Sequence, residues 1–300
     1  MRPSVVSFHV VDNRAVDIAS PSTARVDNAQ RVAISRTPTC RHFLPILHHF
    51  LPLRHSLSNT EMATSRTLKD CKISEIPDGM FYVPDFINHK EEAGILNAIQ
   101  PNRWIQLQHR RLQTHPSSLS KSNTLLEAPL PSWLVDPIIS KFKSLGLFSD
   151  SPHHSPNHVL INEYNPNEGI MPHEDGAAYY PIVATVSLSS ALCLDIYEKN
   201  QDQDQAPVGS SPKWRILQEP RSLLVTCGSA YTNTLHGISE VEVDENLRPD
   251  TVANWTLLGD NKIFIENGGK NVRTTRISLT YRDVLKVSKI GARILGRPRG

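Results

Sequence analysis

Two residues in this chain have the spacing for metal chemistry: His173 and Asp175, within Met171-Pro172-His173-Glu174-Asp175. In extended backbone, side chains at i and i+2 point the same way, so one short strand end can aim an imidazole and a carboxylate at one ion. His236 offers a second imidazole. Two histidines and one carboxylate leave three adjacent coordination positions open, an arrangement suited to non-haem Fe(II) that must bind a co-substrate and dioxygen together. With thirteen histidines in 300 residues, a lone His-x-Asp carries little weight. The surrounding sequence has to decide.

The only other His-x-acid pair is His89-Lys90-Glu91. It falls in a predicted helix with Asn88 as N-cap, Glu91 as the reciprocal half of a capping box, and Ile95, Leu96 and Ile99 as the buried stripe. Positions i and i+2 of a helix do not face each other, so this pair is set aside.

A second constellation lies in Arg276-Ile277-Ser278-Leu279-Thr280-Tyr281-Arg282. Alternation puts Ile277, Leu279 and Tyr281 on one face of a strand and Arg276, Ser278, Thr280 and Arg282 on the other. Two guanidinium groups on one face are either solvated or set against buried anions, because an unpaired buried arginine is very costly. A guanidinium fork fits a carboxylate bidentately, and a dicarboxylate can chelate iron through one end while an arginine takes the other. Sequence alone leaves both orientations open. An earlier strand, His158 to Tyr164, adds Asn162 and Tyr164 on a shared face.

The elements that must position these residues follow a clear order. From Ile73 the chain reads as globular. A short strand around Phe81 leads into the helix after Asn88. Arg103 to Leu119 is a polar, basic stretch, either an exposed loop or a substrate-facing lid whose cations meet phosphates. Asp136 as cap and Pro137 in the first turn open a second helix through Ile138, Ile139, Phe142 and Leu145, closed by Gly146. After a loop at Ser149 to Pro156 the period becomes two and stays there. Strands are predicted at His158–Tyr164, at the His173 end, at Ile182–Leu188, along Leu192, Leu194 and Ile196, at Ser222–Cys227, from Thr234, and from Thr274 to about Val287. Gly228 reads as a turn and Asp244 to Gly269 as an insertion. Helices followed by many short strands predict an α+β domain with a jelly-roll heart.

Composition is ordinary for a globular protein. Thirty-two Lys and Arg against 30 Asp and Glu give a net charge of +2, compatible with a polyanionic partner without demanding one. The four cysteines (Cys40, Cys71, Cys193, Cys227) show no C-x-x-C pairing, so neither a zinc finger nor a disulfide framework is indicated. No run of about twenty apolar residues is present to span a membrane. Residues 1–61 read as a disordered extension ahead of an internal start at Met62, with an organellar transit peptide as the alternative. The globular domain is expected over 62–300, its core at about 155–287.

Taken together, Asn162-Glu163-Tyr164-Asn165-Pro166, the His173-Glu174-Asp175 triplet, Leu235-His236-Gly237 and the Arg276/Arg282 pair resemble the AlkB-like Fe(II)/2-oxoglutarate-dependent dioxygenases. Met171 to Gly176 and Arg221 to Leu224 look most like the subgroup of the sixth vertebrate homologue and its plant relatives. The resemblance covers about Ile73 to Val287. It implies a double-stranded β-helix (jelly roll) flanked by N-terminal helices, with His173, Asp175 and His236 as iron ligands. It implies Arg276, helped by Tyr164, on the distal carboxylate of 2-oxoglutarate, Asn162 on the same co-substrate, and Arg282 orienting Asp175 or the chelating end. Ser278 departs from the bacterial pattern, which commonly has Asn there and so a longer donor. The long interval from His236 to Arg276 also departs from it, and the added loop is expected on the surface.

The implied cofactors are Fe(II), with 2-oxoglutarate and O2 as co-substrates. The implied reaction hydroxylates or oxidatively demethylates an alkylated nucleic acid, RNA or DNA, by a monomer in nucleus and cytoplasm. An oxygenase acting on protein side chains and a catalytically vestigial nucleic-acid-binding module are the alternatives.

Overall fold

The computed structural model describes residues 67–199 and 211–289, all within the second of the chain's two compact units, 62–300. The expectations for residues 1–61 lie outside the described residues.

Two antiparallel sheets carry the architecture. The larger runs, in spatial order, Met80–Val83, Leu223–Cys227, Tyr179–Leu188, Arg276–Val284, His158–Tyr164, Arg111–His115 and Ile105–Gln106. The smaller runs Ile170–His173, Thr234–Ile238, Leu192–Glu198 and Trp214–Gln218. From His158 onward the chain crosses between the sheets at almost every step, staying in the smaller sheet only for the pairing of Leu192–Glu198 with Trp214–Gln218. This winding is a double-stranded β-helix, the jelly roll predicted from the strand pattern.

The larger sheet is covered on both faces, which explains why every residue of Arg276–Val284 is buried. Its outer face packs on helices. Ile277, Leu279 and Tyr281 join Ile95, Ile99, Leu134, Ile138 and Phe142 in one core, and the Tyr281 ring meets Phe142 edge-on at 5.1 Å. Between the sheets, Tyr82, Tyr164, Leu192, Leu194, Ile196, Ile216, Leu224 and Ile238 form a second core. The polar side of Arg276–Arg282 therefore looks into the barrel.

The helix His89–Ala98 begins as its sequence dictates. Asn88 Oδ1 accepts from Glu91 N at 2.9 Å, and Glu91 Oε2 accepts from Asn88 N at 2.8 Å. Four local expectations need correction. Asp136 does not cap the second helix; it closes the short helix Ser132–Val135, and Pro137 precedes Ile138–Ser144. Gly228 opens a six-residue helix, Gly228–Asn233, in place of a turn. Part of Arg103 to Leu119 is β-structure: Arg111–His115 pairs with His158–Tyr164 and extends the larger sheet. The interval after Asp244 is more than a surface loop. Leu247, Val252, Trp255 and Phe264 bury themselves against Ala191, Cys193 and Leu217, forming a third core behind the smaller sheet. Asn254, fully buried, holds that segment by donating to Leu217 O at 2.8 Å and accepting from Leu217 N at 2.9 Å.

Candidate active site

His173 ends its strand, and His236 lies directly opposite it on the neighbouring antiparallel strand. Their ring centroids are 4.3 Å apart. Such closeness needs the two backbones to approach tightly. A Cβ on Gly237 would sit 3.1 Å from both Ile170 O and Pro172 N, so the residue beside His236 has to be small. His173 Nδ1 lies 2.9 Å from Met171 O. A proton on Nδ1 donated to that carbonyl leaves the Nε2 lone pair free to bind a metal.

Asp175 sits in the turn after His173, ahead of the strand that begins at Tyr179. Gly176, at φ +84°, lets the chain reverse there. The turn is pinned from outside by the Glu174–Lys199 ion pair at 2.7 Å and by the Tyr231 hydroxyl, which donates to Gly176 O at 2.9 Å. The Asp175 carboxylate forms a buried ion pair with Arg282 through Oδ1. Burial pushes the acid's pKa up, but Arg282 and then the two imidazoles pull it down, and the net effect is a lowered value. Burial lowers His173 as well, and takes His236 to about 4. Both rings are therefore neutral at neutral pH, the form a metal needs.

Among the described residues, no three His, Cys, Asp or Glu side chains stand close enough as placed to enclose an ion. Asp175 is turned onto Arg282, its nearest cation. The donor set nonetheless suits Fe(II): two neutral imidazoles, and an ionised carboxylate within electrostatic reach of both.

The polar row inside the barrel is assembled by register. Arg276 stands opposite Tyr164, Ser278 opposite Asn162, and Arg282 opposite His158. Arg276 is 3% exposed. It donates to Ser187 Oγ at 2.8 and 3.0 Å and to Gln218 Oε1 at 2.5 Å, and it meets no carboxylate among the described residues. Burial lowers its pKa to about 10. Asn162 Oδ1 accepts from Arg110 Nε at 3.3 Å.

All eight residues singled out from sequence thus lie on these facing strands or in the turn joining two of them. Ser187 and Gln218 were not singled out. Ser187 lies on the less apolar face of its alternating strand, a usable signal, whereas nothing in the sequence marks Gln218. The basic stretch contributes less than expected. Arg103 is used on the carbonyls of Thr114 and Pro116, and Arg111 is paired with Glu163 over the Trp104 ring. Arg110 alone of the three reaches the row.

A double-stranded β-helix with two paired imidazoles and a neighbouring aspartate between its sheets defines a class of non-haem metal sites. Comparison with known proteins narrows that class. The chain is 36% identical over 226 residues to the probable RNA/DNA demethylase ALKBH6 of Danio rerio, covering 72% of this chain and 89% of that one. It is 26% identical over 230 residues to the tRNA (carboxymethyluridine(34)-5-O)-methyltransferase alkbh8 of Xenopus tropicalis, covering 72% of this chain but 33% of that larger protein. Among solved structures, OsALKBH1 aligns with 68% of this chain and 96% of its own at 13% identity and a TM-score of 0.41. No family model matches. The chain belongs to the AlkB-like Fe(II)/2-oxoglutarate-dependent dioxygenases, and is an oxidoreductase.

Proposed function

We propose that this protein hydroxylates or oxidatively demethylates an alkylated nucleic acid, RNA or DNA. In this reading His173, Asp175 and His236 hold Fe(II), and Arg276 receives the distal carboxylate of 2-oxoglutarate. The observation that carries the co-substrate assignment is Arg276 itself. A guanidinium at 3% exposure, hydrogen-bonded only to neutral oxygens among the described residues, has no carboxylate beside it there, and a buried charge is tolerable when an anion joins it. Tyr164 and Asn162, opposite Arg276 and Ser278, add a hydroxyl and an amide beside the same space.

His173, Asp175 and His236 would hold Fe(II), which would supply the coupling of 2-oxoglutarate decarboxylation with hydroxylation of a C–H bond. On an N-methyl group that hydroxylation ends in loss of formaldehyde. The residues of the chain bind and orient. The His173 ring is fixed by the Met171 carbonyl, Asp175 is kept ionised by Arg282, and the apolar core between the sheets excludes water. No side chain is required to move a proton for the ligands to bind, because both imidazoles are already neutral.

The nucleic-acid substrate rests on the relatives, whose names specify RNA, DNA and tRNA, and on Arg110 at the edge of the polar row. The test is succinate and formaldehyde release with methylated oligonucleotides set against methylated peptides. Turnover with oligonucleotides supports the assignment; turnover confined to peptides replaces it with a protein oxygenase.

A further inference from the structure

The Asp175–Arg282 pair rests on an aromatic ring that the reaction itself does not require. The Tyr179 ring lies beneath the Arg282 guanidinium, with Cζ 4.8 Å from its centroid, and His158 flanks the same ring at 6.2 Å between centroids. Arg282 Nε is buried without a hydrogen-bond partner among the described residues. The orientation of the fork therefore depends on the carboxylate in front of it and the ring below it. Burial works against the charge on Arg282, but Asp175 together with Tyr179 and Tyr231 outweighs it, so the guanidinium stays protonated.

A carboxylate has two oxygens, and a guanidinium free to slide forward takes both of them. An aspartate held in that way keeps only its outer lone pairs for a metal, in directions the guanidinium dictates. Here the closest approach of the fork to Asp175 is at Oδ1. We propose that Tyr179 is a positioning residue that holds Arg282 against one oxygen of Asp175 and so reserves the other for the metal. Tyr179 is well placed for this, because it opens the strand that follows the Asp175 turn. The same short segment thus delivers the carboxylate and the ring that restrains the carboxylate's partner. The inference rests on reading His173, Asp175 and His236 as the metal ligands.

The test is anaerobic Fe(II) affinity, measured by chelator competition on the full chain and on Tyr179→Phe and Tyr179→Leu. Partners one step removed from a metal ligand typically change affinity by about 10- to 100-fold when lost. Tyr179→Leu is expected to show a loss of that size, and Tyr179→Phe, which keeps the ring, to stay within about threefold of the unaltered chain on the same scale. At saturating iron, the KM for 2-oxoglutarate is expected to match in all three proteins, which a general loosening of the barrel would not produce. Should Tyr179→Leu fail to fold, Tyr179→Met removes the ring at similar volume and carries the same expectation. Unchanged affinity in the ring-less variant overturns the proposal, as does an equal loss in Tyr179→Phe. Absence of Fe(II) binding by the unaltered chain is a different failure: it removes the metal site itself, and this inference with it.

Discussion

Arg276 points its guanidinium into the barrel and donates to Gln218 Oε1 at 2.5 Å, a neutral amide oxygen where a buried cation would ordinarily find a carboxylate. The free protein therefore carries an unbalanced charge, and the co-substrate would balance it. Arg276→Met separates these two effects. Losing one partner of a buried, hydrogen-bonded charge pair costs about 2–5 kcal/mol, so the KM for 2-oxoglutarate should rise by about 30-fold or more. Thermal stability should hold or increase, because an uncompensated buried charge is removed. Steady-state succinate production and a melting curve on one preparation check both halves.

Gly237 is where the two imidazole strands come closest. Gly237→Ala puts a methyl group 3.1 Å from the backbone of Ile170 and Pro172, and the strands have to part. Overpacking of this kind costs about 1–3 kcal/mol. Because the displaced strands carry His173 and His236, Fe(II) affinity should fall along with the melting temperature. Chelator competition beside calorimetry is the check, and a variant with unchanged metal affinity would separate the strand spacing from the site.

Asn254 ties the long segment after Asp244 to the edge strand of the smaller sheet. Asn254→Ala leaves both backbone groups of Leu217 unpaired in a buried place, at about 1–3 kcal/mol for each group. The melting temperature should drop by roughly 5 °C or more for a chain of this size. Turnover at low temperature should survive, since Asn254 stands behind the smaller sheet and not among the residues of the polar row.

His158 gives the fold a pH dependence. It is 2% exposed, and burial, with Arg282 adding to it, lowers its pKa from 6.5 to about 4. Between those values the unfolded chain binds the proton and the folded chain does not, so stability is full above about 6.5 and is lost as pH falls toward 4. At about 1.4 kcal/mol per unit the contribution is on the order of 3 kcal/mol. Denaturant melts at pH 7 and pH 5, on the unaltered chain and on His158→Gln, should show a smaller pH slope in the variant.

Much of this arrangement is legible in the sequence, because period-two alternation is a direct consequence of backbone geometry. Ile277, Leu279 and Tyr281 had to share a face, and so did Arg276 and Arg282. The capping box at Asn88 and Glu91 is equally local. What alternation cannot supply is which face looks inward. That was decided by long-range packing, the helices carrying Ile95 and Phe142 having covered the apolar side. The pairing of His173 with His236 depends on register between strands some sixty residues apart in the chain, and only the tight approach at Gly237 leaves a sequence trace of it. The third core around Trp255 was missed for a related reason. Turn signals at Pro249, Gly268 and Gly269 dominate that stretch locally, while its burial comes from Ala191, Cys193 and Leu217 on distant strands.

The measurement that bears most directly on the whole account is an anaerobic titration of the protein with Fe(II) and 2-oxoglutarate, watched in the visible range. A weak metal-to-ligand charge-transfer band is expected that needs both additions, saturates at one iron per chain, and disappears in His236→Ala. No band in the unaltered chain, or one that survives in His236→Ala, would contradict it.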